Sequence, residues 1–317
     1  MNVVVTGGAG FIGSHLVDRL LARGDRVVVI DDFNTFYDPA IKHRNLAHHA
    51  GNPAFSLVEA DICDATHMRE IIAAQPVDMV VHLAARAGVR PSIQQPALYW
   101  RVNCEGTTNV LEAARLAGVS RLVVASSSSV YGANAKVPYS EDDPVDQPVS
   151  PYAATKKATE LLCHTYHHLY GMSILCLRFF TVYGPRQRPE MAIHRFIDLL
   201  ANGQPVPMFG DGTTSRDYTY VDDIMDGVVR AVDHCDGYRV YNIGESRTVT
   251  LRELIAIIGR TLGVEPRIDQ RPLQPGDVTR TFADISRMSS ELGYDPRTPI
   301  EDGIRKMVEW YRREGAV

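Results

Sequence analysis

Residues 2–32, NVVVTGGAGFIGSHLVDRLLARGDRVVVIDD, constrain the fold more than any other part of the chain. A β-branched run at 3–5 leads into Thr6-Gly7-Gly8-Ala9-Gly10-Phe11-Ile12-Gly13. Apolar residues at helical spacing follow (Ile12, Leu16, Leu20 and Leu21), and a second β-branched run fills 27–30. The change of period predicts strand, tight turn, helix, strand. Gly7, Gly10 and Gly13 recur every third residue, which suits a tight turn, close approach of backbone to a pyrophosphate, and tight packing of helix on strand. The helix start offers free N–H groups and the positive end of its dipole to phosphate oxygens. Asp31 ends the second strand, where an acid accepts hydrogen bonds from the adenosine ribose 2′-hydroxyl and repels a 2′-phosphate. These features together predict a dinucleotide site for NAD rather than NADP.

The 317 residues, 45% of them hydrophobic, can bury a large core as two lobes or one large α/β unit. A formal net charge of -5 with scattered Lys and Arg argues against a nucleic-acid partner, although local arginines can still hold small anions. Cys63, Cys104, Cys163, Cys176 and Cys235 show no Cys-x-x-Cys spacing and read as reduced core residues. The chain starts directly on a strand, and no apolar run reaches bilayer length. The expectation is therefore no signal peptide, no membrane partner and a cytoplasmic compartment.

Residues 32–52 are polar with Phe33, Phe36 and Tyr37 interleaved, and read as a loop over the adenosine end. His43, His48 and His49 in it make no metal spacing with a nearby acid or thiol, so no metal is expected. Strands at 55–59 and 79–83 with a helix at 68–74 continue the alternation, which implies right-handed crossovers and a parallel sheet. Ligands then lie beyond the carboxyl strand ends, bordered by Asp61, Ile62, Ala84, Ala85 and Arg86. Asp61 either hydrogen-bonds the adenine amine or caps the following helix. His82, among valines and Leu83, reads as a packed strand residue.

A helix at 103–117 and a strand at 122–125 lead into Ser126-Ser127-Ser128-Ser129-Val130-Tyr131-Gly132, hydroxyls at the end of a central strand. After a loop at 138–151 come a helix at 152–170, a strand at 173–180 and an arginine-bearing loop at 181–189. Beyond 191 the pattern loosens, with a helix at 193–201 and a strand at 206–209, before 217–245 return to the sheet. The predicted fold class is α/β: a doubly wound parallel (Rossmann) sheet, 1–180 plus about 217–245, with a smaller discontinuous α/β lobe, about 181–216 and 246–317. Thr250 with Glu253, and Thr298 with Glu301, read as capping boxes opening two helices.

Tyr152 and Lys156, four apart on a helix, share one face. A tyrosine is a poor base at its reference pKa of about 10. A lysine ammonium and the charge of an oxidised nicotinamide stabilise its phenolate, so that Tyr152 can take a proton from a secondary alcohol while Ser127 orients the hydroxyl. The alternative is an exposed helical pair.

The glycine pattern, the serine run with Val130-Tyr131-Gly132, and Tyr152-Ala-Ala-Thr-Lys156 together resemble the extended short-chain dehydrogenase/reductase family of nucleotide-sugar enzymes. HLAARAGVR at 82–90 and RFFTVYGPRQRP at 178–189 resemble that family's UDP-glucuronic acid 4-epimerases. The resemblance implies Ser127, Tyr152 and Lys156 as the catalytic set, and NAD held by Phe11, Ile12, Asp32, Asn34 and Leu83 besides the residues above. It implies a UDP-sugar touching Arg90, Ser127, Ser128, Thr181, Arg188, Arg195, Phe209, Arg216 and Asp277, and a homodimer. Arg86 departs from the glutamine or lysine expected in relatives.

Oxidising a hexuronate at C4 gives a β-keto acid that readily loses carbon dioxide, so an epimerase must grip the carboxylate; Thr181 and Arg188 are the candidates, or Arg188 forms a structural ion pair. Related dehydratases and decarboxylases place an acid before Val-Tyr-Gly, where this chain has Ser128 and Ser129. The expected reaction is C4 epimerisation of UDP-glucuronate to UDP-galacturonate. Alternatives are a neutral UDP-hexose epimerase, a UDP-uronate decarboxylase and a non-catalytic NAD sensor.

Overall fold

Valines at every position of 3–5 and of 27–29 leave a strand no polar side, so it needs cover on both faces. The computed structural model, which describes residues 1–272 and 279–314, supplies that cover. Its strands β1 (Asn2–Thr6), β2 (Arg26–Asp31), β3 (Phe55–Glu59), β4 (Met79–His82), β5 (Arg121–Ser127), β6 (Ser173–Phe179) and β7 (Tyr238–Ile243) form one parallel sheet. Across the sheet the order is β3-β2-β1-β4-β5-β6-β7. Val4 aligns with Val28 on one side and Val80 on the other.

The pleat sends alternate residues of β1 to opposite faces. Val3 and Val5 join one core with Leu16, Val17, Ile224 and Val228, from α1 (Phe11–Ala22) and Val221–Asp233. Val4 joins the other with Met68, Leu111 and Cys163. These come from Ala65–Ala73, Gly106–Leu116 and the twenty-residue helix Pro151–Tyr170. Strand order reverses between β1 and β4, which opens a crevice beyond their carboxyl ends.

Four local expectations need correction. Residues 32–52 are not a plain loop: α2 (Pro39–Leu46) forms there, capped by Asp38, with Pro39 opening it, and one 3₁₀ turn, Ala47–His49, follows. The helix is two turns long and buries Lys42 and Asn45, so no apolar stripe announced it. Asp61 does not cap the next helix: its Oδ1 accepts from the Cys63 N–H, and Asp64 caps Ala65–Ala73 instead. The Thr250 and Glu253 box is present, whereas the Thr298 N–H donates to Asp223 and the last helix begins at Ile300. The helix expected at 103–117 opens with a turn of π-helix, Arg101–Glu105, before Gly106–Leu116. All five cysteines are free, and among the described residues no helix is long and apolar enough to cross a membrane.

Candidate active site

The glycine turn is shaped by what a side chain would strike. A Cβ on Gly13 would lie 2.2 Å from the Gly7 carbonyl oxygen, and one on Gly7, whose φ is 70°, would lie 2.7 Å from the Ala84 nitrogen. Only glycine lets β1, α1 and the end of β4 approach this closely. No side chain caps α1 after Gly10, and its first turn carries no acid. That leaves its N–H groups directed at a cleft of about 750 Å³.

The cleft runs from the glycine turn to Arg216 and Thr281. Gly7, Gly10, Phe11, Ile12 and Gly13 line one end with Asp31, Asp32, Asn34, Asp61 and Ile62. Leu83, Ala84, Ala85 and Arg86 line its middle, and the Arg86 Nε is buried with no hydrogen-bond partner among the described residues. Asp31 is more engaged than the sequence suggested. Its carboxylate accepts from the backbone N–H of Ala9 at 3.2 Å and of Phe33 at 3.0 Å, and from Lys42 Nζ at 3.0 Å.

Ser127 ends β5, and Tyr152 opens the helix Pro151–Tyr170, whose N-cap Ser150 accepts from the Ala153 N–H. Ser127, Ser128, Tyr152 and Lys156 all line the cleft. The Ser127 Oγ accepts from the Ser129 N–H at 3.1 Å. Burial pushes the Tyr152 phenol above its ordinary value, opposed by a hydrogen bond from Ser127 and by the charge of Arg188. The Tyr99 ring meets that of Tyr152 edge-on, 6.2 Å between centroids, and its hydroxyl donates to the Ala87 carbonyl. Lys156, one helical turn beyond Tyr152, lines the same cleft. Burial pushes its ammonium down to about 8, and its Nζ donates to the Ala125 carbonyl oxygen.

Arg90, Thr181, Arg188 and Arg216 also line the cleft. Arg90 lies over the Phe209 ring, 5.2 Å from its centroid, although Phe209 itself does not border the cavity. Arg188 pairs through Nε with Glu190 at 2.7 Å, and both it and Arg86 stand 5.8 Å from the Phe36 ring centroid. Arg195 is a correction: it is exposed on the helix Ala192–Ala201 and does not line the cleft. Asp277 lies outside the described residues.

Residues 3–244 match the family described as the NAD dependent epimerase/dehydratase family. The chain belongs to that family. It is 41% identical to the UDP-glucuronate 4-epimerase of Thermodesulfobacterium geofontis, over 97% of this chain and 95% of that one. It superimposes on the UDP-glucuronic acid 4-epimerase of Bacillus cereus, solved with UDP-glucuronic acid and NAD, with a TM-score of 0.93 and 36% identity, covering 99% and 100% of the two chains. The UDP-glucose 4-epimerase of Thermotoga maritima, solved with UDP-glucose, gives 0.92 and 34%, covering 99% of each.

For a member of this family the residues fit NAD. The uncapped helix start suits a pyrophosphate, and the buried Arg86 Nε is a donor with no hydrogen-bond partner among the described residues. Tyr37 lines the cleft too, and sequence reasoning missed Lys42, Tyr139 and Thr281, which also line it. Lys42 was readable only with α2 in view; Thr281 follows the undescribed segment and carries no motif. His82 stays structural: it sits between Thr6 and Thr107 hydroxyls at 2.6 and 2.9 Å, and burial pushes it down to about 3.

Proposed function

We propose that this protein is an NAD-dependent epimerase that interconverts UDP-glucuronate and UDP-galacturonate through a 4-keto sugar. The observation that carries this reading is that Ser127, whose hydroxyl opposes the raised pKa of the Tyr152 phenol, lines one cleft with that phenol, with Ser128 and Ser129 where an acid would serve dehydration or decarboxylation. Bound NAD supplies a reversible hydride acceptor. Tyr152 takes the proton of the C4 hydroxyl and later returns it, while Ser127 holds that oxygen in line. Gly7, Gly10, Gly13 and α1 hold the pyrophosphate, Asp31, Asp32 and Asn34 the adenosine ribose, and Asp61 and Ile62 the adenine. Arg216 and Arg90 hold the sugar-side diphosphate, as guanidinium forks do. Residues 1–180 with 217–245 carry the cofactor; 181–216 and 246–317 carry the UDP-sugar.

Thr181 and Arg188 retain the substrate carboxylate and so keep the 4-keto acid from losing carbon dioxide. A second reading, a neutral UDP-hexose epimerase, is favoured by one contact: Glu190 already occupies Arg188. The test is to incubate the protein with each UDP-sugar without added cofactor and identify products by mass spectrometry and NMR. UDP-galacturonate from UDP-glucuronate supports the proposal, and UDP-pentose as main product refutes it. Arg188→Ala should abolish uronate turnover, whereas turnover of a neutral sugar that survives the substitution supports the second reading.

A homodimer fits the apolar residues left exposed on neighbouring helices: Leu116 on Gly106–Leu116, and Leu161 and Leu169 on Pro151–Tyr170. Free, mostly buried thiols accord with the reducing cytoplasm.

A further inference from the structure

Asp18 is thirty residues from His48, and the fold brings them together. Asp18 projects from α1 toward the 3₁₀ turn Ala47–His49. Its Oδ1 lies 2.9 Å from His48 Nε2 and 2.7 Å from His49 Nε2, while Oδ2 accepts from Arg186 Nη1 at 2.8 Å. The two imidazoles are 4.0 Å apart between centroids, and the Phe55 ring packs 5.4 Å from that of His49, so the pair is held in place.

One carboxylate oxygen and two imidazole nitrogens, all within 4.8 Å of one another, make a three-donor set. Imidazole with carboxylate suits Zn²⁺, Co²⁺, Ni²⁺ or Cu²⁺, whereas Mg²⁺ and Ca²⁺ require oxygen shells. Bonds of about 2.0–2.2 Å to a tetrahedral ion set neighbouring donors roughly 3.3–3.5 Å apart. The two contacts to Oδ1 need open only by about half an ångström to admit an ion. The His48 side chain is 48% exposed and that of Asp18 30%, which leaves room for a water in the remaining position.

We propose that Asp18, His48 and His49 form a binding site for a divalent first-row transition metal on the outer face of α1, separate from the cleft. Nearby charge tunes it. Arg186, paired with the same carboxylate, opposes a second cation, so its guanidinium sets the affinity. Arg186 itself holds a left-handed φ of 63°, and the adjoining Pro185 carbonyl is 2.9 Å from His15 Nε2. The site therefore shares Asp18 with the tie that fixes the loop carrying Arg188.

The test uses untagged, chelator-stripped full-length protein, titrated with Zn²⁺ by calorimetry and with Co²⁺ by its visible absorption. The expected result is one equivalent bound at this site, weakened roughly tenfold or more by His49→Ala and by Asp18→Asn, since even indirect partners of a metal cost about that much. Arg186→Gln should tighten binding severalfold. His48→Gln serves as a second ligand variant should Asp18→Asn disturb the loop. The competing surface chelate is His164 with His168, stacked 6.5 Å apart on Pro151–Tyr170. His168→Ala should leave the high-affinity equivalent unchanged. Absence of binding in the parent protein, binding indifferent to His49→Ala, or its loss in His168→Ala would each overturn the proposal.

Discussion

Lys156 Nζ donates to the carbonyl oxygen of Ala125 at 2.7 Å, which ties the helix face bearing Tyr152 to β5 two residues before Ser127. The tether keeps a buried ammonium inside the protein at a cost, because burial pushes its pKa down to about 8. The folded state holds that proton less firmly than the unfolded chain, so a penalty is present in full below pH 8 and fades as pH rises toward the lysine reference of about 10.4. Lys156→Met should therefore raise stability at pH 7 by about 1–3 kcal/mol while abolishing turnover. Denaturant melts at pH 7 and pH 10 check this: the variant's advantage should shrink at the higher pH.

Tyr152 needs more than its protein surroundings to become a base. Burial lifts its phenol, and among the described residues Ser127 and Arg188 pull against that. If the missing stabilisation comes with the cofactor's positive charge, the phenolate forms only in the complex. Tyr152→Phe should lower kcat by roughly 10²–10⁴. NAD should still raise its melting temperature as it does the parent's. An unchanged kcat would remove Tyr152 from the chemistry.

The glycine turn and its two flanking strands were legible because three rules coincide there: a β-branched run, glycines where a Cβ would meet backbone, and a helix with no capping acid. The doubly wound order followed from alternating strands and helices. What stayed hidden depended on residues distant in sequence. Asp31 was read as open to a ribose, yet Ala9, Phe33 and Lys42 all donate to it. Lys42 lies on a helix too short and too polar to show an apolar face. His48 and His49 showed no acid at metal spacing in the sequence because the acid they meet, Asp18, lies on α1. Arg195 carried a resemblance that its exposed helical position does not match. Periodicity reports which side of an element is buried; it says nothing about which polar groups converge across elements.

Glu160 and Arg178 form the ion pair that joins the helix Pro151–Tyr170 to β6 beneath the serine run. The guanidinium donates Nε to Oε1 at 2.8 Å and Nη2 to Oε2 at 2.9 Å, and both residues are almost wholly buried. Ser126 donates to the same carboxylate at 2.7 Å, and Arg178 Nη1 to the Tyr131 hydroxyl at 2.9 Å. Removing one partner strands the other charge. Glu160→Ala should cost about 3–5 kcal/mol in a urea melt. Replacing both by apolar residues of similar volume should cost less than the single change.

Glu245 is the converse, a buried acid left without a donor. Neither of its carboxylate oxygens has a hydrogen-bond partner among the described residues, and Arg247 Nη1 stands 4.0 Å away. Its neighbour Asp217 takes the local donors, accepting from the backbone N–H of Glu245, Ser246 and Ala283. Burial first, then the charges of Asp223 and Asp217 against that of Arg247, pushes the Glu245 carboxyl up to about 8. A carboxyl raised in the folded state binds its proton more tightly there than in the unfolded chain, so its contribution is greatest below pH 4 and is lost as pH rises toward 8. Glu245→Gln keeps the neutral shape at every pH. It should match the parent near pH 5 and exceed it by roughly 2–4 kcal/mol at pH 9, measured by denaturant melts across that range. Parallel pH profiles for the two proteins would show that Glu245 ionises as freely folded as unfolded.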